Sequence, residues 1–291
     1  MTIFVDASAQ FDGDSLGAGS RVLAYVRVAP GATIGENCVL HDHAVLTGSV
    51  QLEDGVVVGP GAILGAPSAD GAGPSGDVVV RRFASIGANV TVWPGVVIGR
   101  RAVVEPGAVV TENVPANAIV SGNPATIVAY VDGGEAASAR EAVPPPSAAG
   151  SITETRVGGV TLHRLTHARD LRGSLTAVEF SGLPFTPRRI FTVYGVPSES
   201  VRGAHAHRTC SQFLICTQGS LRCLVDDGSA REEIRLASPD LGLHIPPMVW
   251  GTQWRYTRDA VLLVLASHPY DPDDYIRDYE DFVDALASSS R

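Results

Sequence analysis

The 291-residue sequence contains no lysine; all 22 of its Lys-plus-Arg positions, from Arg21 to Arg291, are arginine. Without a lysine amine there is no Schiff-base nucleophile, no internal aldimine for pyridoxal phosphate and no phosphate-loop lysine, so three large enzyme classes drop out. Cysteine is scarce too. Cys38, Cys210, Cys216 and Cys223 form no Cys-x-x-Cys pair, and three of them lie in apolar, strand-like stretches, so they read as reduced core residues. Long apolar runs are also missing. The longest, residues 260–266, is far too short to span a bilayer, and the first residues, Met1 to Asp6, show no basic region followed by an apolar core. A cytoplasmic protein that needs no membrane is the expectation. Charge is sparse and acidic, with 31 Asp and Glu against 22 Arg and a net charge of -9, which disfavours a broad footprint on nucleic acid. A small, locally recognised ligand fits better.

What the chain has in quantity is 31 Gly and 19 Pro, so long helices cannot dominate it. Its 45% hydrophobic content is enough for a sizeable core, and its length allows about two domains. The first half carries an internal repeat. Aliphatic residues recur six apart at Val22, Val28, Ile34, Leu40, Leu46, Leu52, Val58 and Leu64, and again at Val80, Ile86, Val92, Ile98, Val104 and Val110. Neither a helix nor a plain strand has this period. A solenoid of short strands does, with three hexads to a coil and Pro30-Gly31, Gly35, Pro60-Gly61, Gly87 and Pro106-Gly107 at the corners.

This pattern, from about Val22 to Tyr130 and closing on the run from Asn113 to Ala125, resembles the hexapeptide-repeat acyltransferases. The resemblance implies a left-handed parallel β-helix that forms trimers and binds acetyl-CoA between neighbouring coils. It makes Ser85, Gly87, Ala88, Ala102, Gly122 and Asn123 the candidate cofactor contacts. His43, in His41-Asp42-His43, is the candidate base for acetyl transfer to an amine, and a polar residue on the outside of a coil is the plainer reading. The repeat breaks once, between Leu64 and Val80, where a Gly-, Ala-, Ser- and Pro-rich loop is a candidate for acceptor contacts.

The expected domains are residues 1–132 for the solenoid, 133–150 for a linker containing Pro144-Pro145-Pro146, and 151–291 for a second β-domain. Short β-type runs at 160–165, 175–180, 189–194, 213–217, 221–225, 232–236, 243–245 and 261–266 suggest a sandwich or small barrel, with 273–287 helical. Within it lies Arg202-Gly203-Ala204-His205-Ala206-His207. On an extended chain His205 and His207 share one face. The spacing His-x-His, Gln212, Gly219 matches the first cupin motif, with Gln where a metal-binding cupin has Glu, and Trp250-Gly251 stands where its last histidine belongs. Two of four ligands is too few for a tight first-row metal site, so no metal is expected.

Together with the stretches Gln253 to Tyr256 and Tyr270 to Tyr279, this motif resembles the dTDP-4-keto-6-deoxyglucose 3,4-ketoisomerases of the WxcM/FdtA type, over about Thr161 to Val283. The resemblance implies a cupin-type barrel, a dTDP-sugar substrate and cofactor-free proton transfer through an enediolate by His205 and His207, in an order the residues leave open. Arg202, Tyr194, Gln212 and Trp250 are the candidate substrate contacts. In some members of that family the isomerase is fused to a hexapeptide-repeat N-acetyltransferase, which makes this chain a candidate bifunctional enzyme and a homotrimer or hexamer. Two other readings stand beside it: an isomerase on a non-catalytic trimerising solenoid, and a sugar-binding scaffold or sensor.

Overall fold

The computed structural model describes residues 2–65, 75–131, 148–198 and 200–289. They divide into two compact units, Met1–Val131 and Asp132–Arg291.

In the first unit short strands stack into three parallel sheets. Val39 lies beside Val57, and Ser85 beside Val103, so each coil takes 18 residues, the three hexads of the repeat. Every aliphatic residue of the six-residue series points inward and is at most 2% exposed. A second inward series, two residues out of phase, was hidden by its small side chains: Val26, Ala32, Cys38 and Ala44, continuing to Ala102 and Ala108, are at most 3% exposed. Two inward positions per hexad fill the narrow interior. Ala102 therefore belongs to the solenoid core, and the expectation that it touches a cofactor in an outer groove is wrong.

Coils stacked at roughly 4.8 Å leave no room for some side chains. A Cβ on Gly87 would lie 2.6 Å from the backbone nitrogen of Pro106, and one on Gly99 would lie 2.4 Å from that of Ala116. Across the break in the repeat Val58 pairs with Ile86, so the interruption adds length without disturbing the register. Residues 66–74, most of the expected acceptor loop, lie outside the described residues. The last parallel strand, Ala118–Ser121, is covered by the antiparallel Thr126–Tyr130.

Most of the expected linker, 132–147, also lies outside the described residues. Its end belongs to the second unit, because Gly150 donates to the Arg164 carbonyl. That unit has a six-stranded and a five-stranded antiparallel sheet. Between them pack Leu214, Leu243 and Val264 of the first sheet and Cys223, Val225 and Leu236 of the second. The strands Arg189–Tyr194 and Val261–Ala266 fall where the apolar runs place them. The run at 175–180 instead ends a two-stranded hairpin, Thr166–Asp170 with Gly173–Ala177.

The expected helix over 273–287 needs the largest revision. Asp271 caps a 3-10 turn at Pro272–Asp274, the two-residue strand Tyr275–Ile276 then joins the Arg202–His207 strand, and only Tyr279–Ser289 is helical. Asp278 starts that helix by accepting from the Glu280 and Asp281 amides. Phe282 seats the helix on Trp250, Ala206 and Ile276. Tyr279 and Arg231 both donate to the buried Asp226 carboxylate.

Gly87→Val is expected to lower the thermal midpoint of the solenoid, since backbone of the next coil blocks the new side chain. Gly182→Ala, whose Cβ meets nothing within 4 Å, is expected to leave stability unchanged or slightly higher. Thermal melts of both variants followed by circular dichroism check this.

Candidate active site

The Arg202–His207 strand pairs with Trp250–Trp254, setting Arg202 opposite Gln253, Gly203 opposite Thr252 and His205 opposite Gly251. Ala204 is the extra residue of a bulge, with φ 50° there and 74° at Gly203. In a regular strand Arg202 and His205, three positions apart, point to opposite faces; the bulge turns Arg202 back onto the histidine face. Glycine is needed at 203, where a Cβ would come within 2.5 Å of Gln253 Oε1.

His205 and His207 meet as the sequence spacing implies. Their Nε2 atoms are 3.2 Å apart and their rings nearly perpendicular. They line a pocket with Cys210, Gln212, Ile245, Val249 and Gln253. The Gln212 amide nitrogen lies 3.0 Å from His207 Nε2. On the other side of the ring, His207 Nδ1 is 2.7 Å from Asp274 Oδ2. Asp274 accepts further from the Thr209 amide, the Thr209 hydroxyl and the Cys210 amide. Tyr275 packs its ring 4.8 Å from His205 and 4.3 Å from His207. Sequence reasoning assigned no role to Asp274 or Tyr275, because it placed both in a helix. Pro272 after an aspartate was the available signal for a turn there.

Burial sets the electrostatics. It pushes His205 down to about 4, against a hydrogen bond to the Gly203 backbone. It also lowers His207, outweighing the hydrogen bond and charge of Asp274, while Arg189 and Arg277 add to the depression. For Asp274 burial is the largest influence and acts upward, yet hydrogen bonds from Thr209 and His207 together hold the carboxyl below its usual range. Both imidazoles are therefore neutral, and Asp274 ionised, at neutral pH.

Two expected pocket residues face elsewhere. Trp250 alternates with Gly251 and Gln253 on its strand, so its ring points out of the barrel onto Tyr279 and Phe282. Tyr194 is 71% exposed, on the face of its strand opposite the buried-side Phe191 and Val193. Neither touches the histidines' pocket.

In the solenoid unit His43 sits at a coil corner with φ 62°, its exposed ring stacked flat on Tyr25 at 5.0 Å. Ser85 and Ala88 are half-buried, and Gly122 and Asn123 form an exposed turn. The missing side chain of Gly87 is already accounted for by coil stacking.

Among the described residues one group has the composition of a metal site, His207, Cys210 and Asp274. The 2.7 Å between Nδ1 and the carboxylate is a hydrogen-bond length, closer than two ligands sit around one tetrahedral ion. The donor set is committed to hydrogen bonding.

Residues 158–287 match the family model described as WxcM-like, C-terminal, and residues 15–48 and 77–112 match the bacterial transferase hexapeptide model. The chain is 42% identical over 119 residues to the TDP-4-oxo-6-deoxy-alpha-D-glucose-3,4-oxoisomerase of Aneurinibacillus thermoaerophilus, covering 40% of this chain and 86% of that one. It is also 42% identical over 74 residues to a 2,3,4,5-tetrahydropyridine-2,6-dicarboxylate N-acetyltransferase of Staphylococcus aureus, covering 25% of this chain and 30% of that one. Among solved structures, the sugar 3,4-ketoisomerase QdtA of Thermoanaerobacterium thermosaccharolyticum in complex with TDP is similar, at 35% identity and a TM-score of 0.44, over 45% of this chain and 96% of that one.

The half-buried histidines make the second unit sensitive to acid. His205 and His244 are both pushed to about 4, whereas an unfolded imidazole titrates near pH 6.5. Between those values the unfolded chain binds more protons, so stability is complete above about pH 6.5 and falls as pH drops. For His205 the loss is about 2 kcal/mol at pH 5 and roughly 3 kcal/mol below pH 4, and for the more exposed His244 solvent screening makes it smaller. Urea midpoints at pH 7 and pH 5 measure this, and His244→Asn is expected to flatten the dependence by about one ring's share.

Proposed function

The chain belongs, through its second unit, to the WxcM-like, C-terminal family, and from that premise we propose that it isomerises a dTDP-4-oxo-6-deoxy sugar by moving the ketone from C4 to C3. The observation that carries this reading is the pair of neutral imidazoles whose Nε2 atoms meet 3.2 Å apart in one pocket. The substrate comes from the relative's name, and the chemistry suits the residues. A 4-oxo group acidifies the C3 hydrogen, and a neutral imidazole removes it to give an enediolate. A proton returned to C4 leaves the ketone at C3. His205 and His207 share this work without a cofactor. Gln212 orients His207, and Arg202, turned onto their face by the bulge, offers a fixed cation to the diphosphate or to the developing oxyanion. Tyr194 and Trp250 have no part in it.

The solenoid is a hexapeptide-transferase unit with an N-acetyltransferase among its relatives. We infer acetyl-CoA as its ligand, with Ser85, Ala88, Gly122 and Asn123 in contact and His43 as base for an amino sugar. A homotrimer, or a hexamer if the second units also pair, is the assembly that goes with it. No described helix is long and apolar enough to cross a membrane.

Incubation of the full chain with dTDP-4-oxo-6-deoxyglucose in deuterated buffer, followed by NMR, tests the isomerase reading. A 3-oxo product is expected, and the isotope at its C4 reports whether that hydrogen comes from solvent or from C3. His205→Asn and His207→Asn are each expected to lower turnover by roughly 10²- to 10⁴-fold; binding without any change at C3 and C4 points instead to a sensor. Calorimetry with acetyl-CoA separates a transferase from a scaffold. Saturable binding is expected, and its absence reduces the solenoid to an assembly device.

A further inference from the structure

We propose that Asp274 is a positioning residue that makes His205 and His207 a closed proton store, through which the hydrogen leaving C3 is carried to C4 within one turnover. This rests on the isomerase reading above. With Nδ1 of His207 donating to Asp274 at 2.7 Å, the ring cannot release a proton on that side except onto a carboxylate already accepting from Thr209 and Cys210. Every proton that His207 gains or loses in the cycle passes through Nε2.

That atom has two polar neighbours, the Gln212 amide, which has no acidic proton to give, and His205 Nε2 at 3.2 Å. A proton placed on either Nε2 reaches the other without ring rotation. Solvent has poor access to the His207 side of the pair, since the side chains of His207 and Asp274 are each 9% exposed, and Tyr275 lies against both rings, with His205 half-buried.

The step balances without an oxidant or reductant. The C3–H bond breaks and its electrons form the C3=C4 double bond, while the carbonyl pair moves to O4 and the proton sits on Nε2. The O3 hydroxyl proton then passes to O4, the ketone closes at C3, and the stored proton makes the new C4–H bond. The carboxylate keeps Nε2 of His207 as the exchanging atom throughout, as an aspartate behind a catalytic histidine fixes its tautomer elsewhere.

Substrate deuterated at C3 is given to the full chain in ordinary water, and deuterium at C4 of the product is measured at the earliest conversion. The expected result is product labelled at C4 well above an unlabelled control. Asp274→Asn, whose amide can donate to Nδ1 and so select the other tautomer, is expected to lose that label. Its turnover is expected to fall by roughly 10²-fold or more, with a displaced pH–rate profile and unchanged binding of dTDP, and Asp274→Glu is expected to recover part of both. Wild-type product formed without label at C4 overturns the store, whatever the variants do. An Asp274→Asn chain that keeps the wild-type label and pH profile overturns the role of Asp274. If the wild-type chain makes no 3-oxo product, the isomerase reading fails and this inference with it.

Discussion

The hydrogen bond from His207 Nδ1 to Asp274 joins parts of the chain that are 67 residues apart, and the arrangement of the pocket depends on it. The carboxylate is held by the Thr209 and Cys210 amides, so the turn after the histidine strand and the turn before Tyr275–Ile276 are tied to one side chain. That short strand then pairs with Ala206 and His207 and brings the Tyr275 ring over the imidazoles. The two imidazoles, their covering aromatic and the edge of the five-stranded sheet thus share a single anchor. The interaction is stronger than a neutral hydrogen bond because the acceptor is charged and largely buried.

A second constraint is one of parity. Side chains alternate along a strand, so a cation and a histidine three residues apart can serve the same pocket only if the alternation is interrupted. Gly203 and Ala204 interrupt it, both with positive φ. The same alternation, undisturbed on the neighbouring strand, turns Trp250 outward and Gln253 inward. Side-chain chemistry nominated both Arg202 and Trp250, and backbone geometry sets the first on the histidine face and turns the second away from it.

The legible part of the sequence was the part with a period. Six-residue spacing identified the solenoid and one set of its core residues; the second inward set escaped because alanine, cysteine and valine do not stand out among so many small residues. The His-x-His spacing located the two rings correctly, because a two-residue separation on a strand has one geometric meaning. Asp274 and Tyr275 were not legible as site residues. Their contribution comes from a two-residue strand, and so short an element leaves no hydrophobic pattern to read. Tyr194 shows the converse failure, a residue of suitable chemistry whose strand presents it to solvent at 71% exposure.

The break in the solenoid has a consequence for how such a chain can change. Val58 stacks on Ile86 as Val39 stacks on Val57, although the first pair spans the extra residues and the second does not. The stack counts coils and is indifferent to how much chain leaves and re-enters at a corner. Loop length and sequence at that corner are therefore free to drift, or to be replaced wholesale, while the core below keeps every neighbour it had. A chain built this way can be retargeted by cassette exchange at one address, with no compensating change anywhere else in the stack.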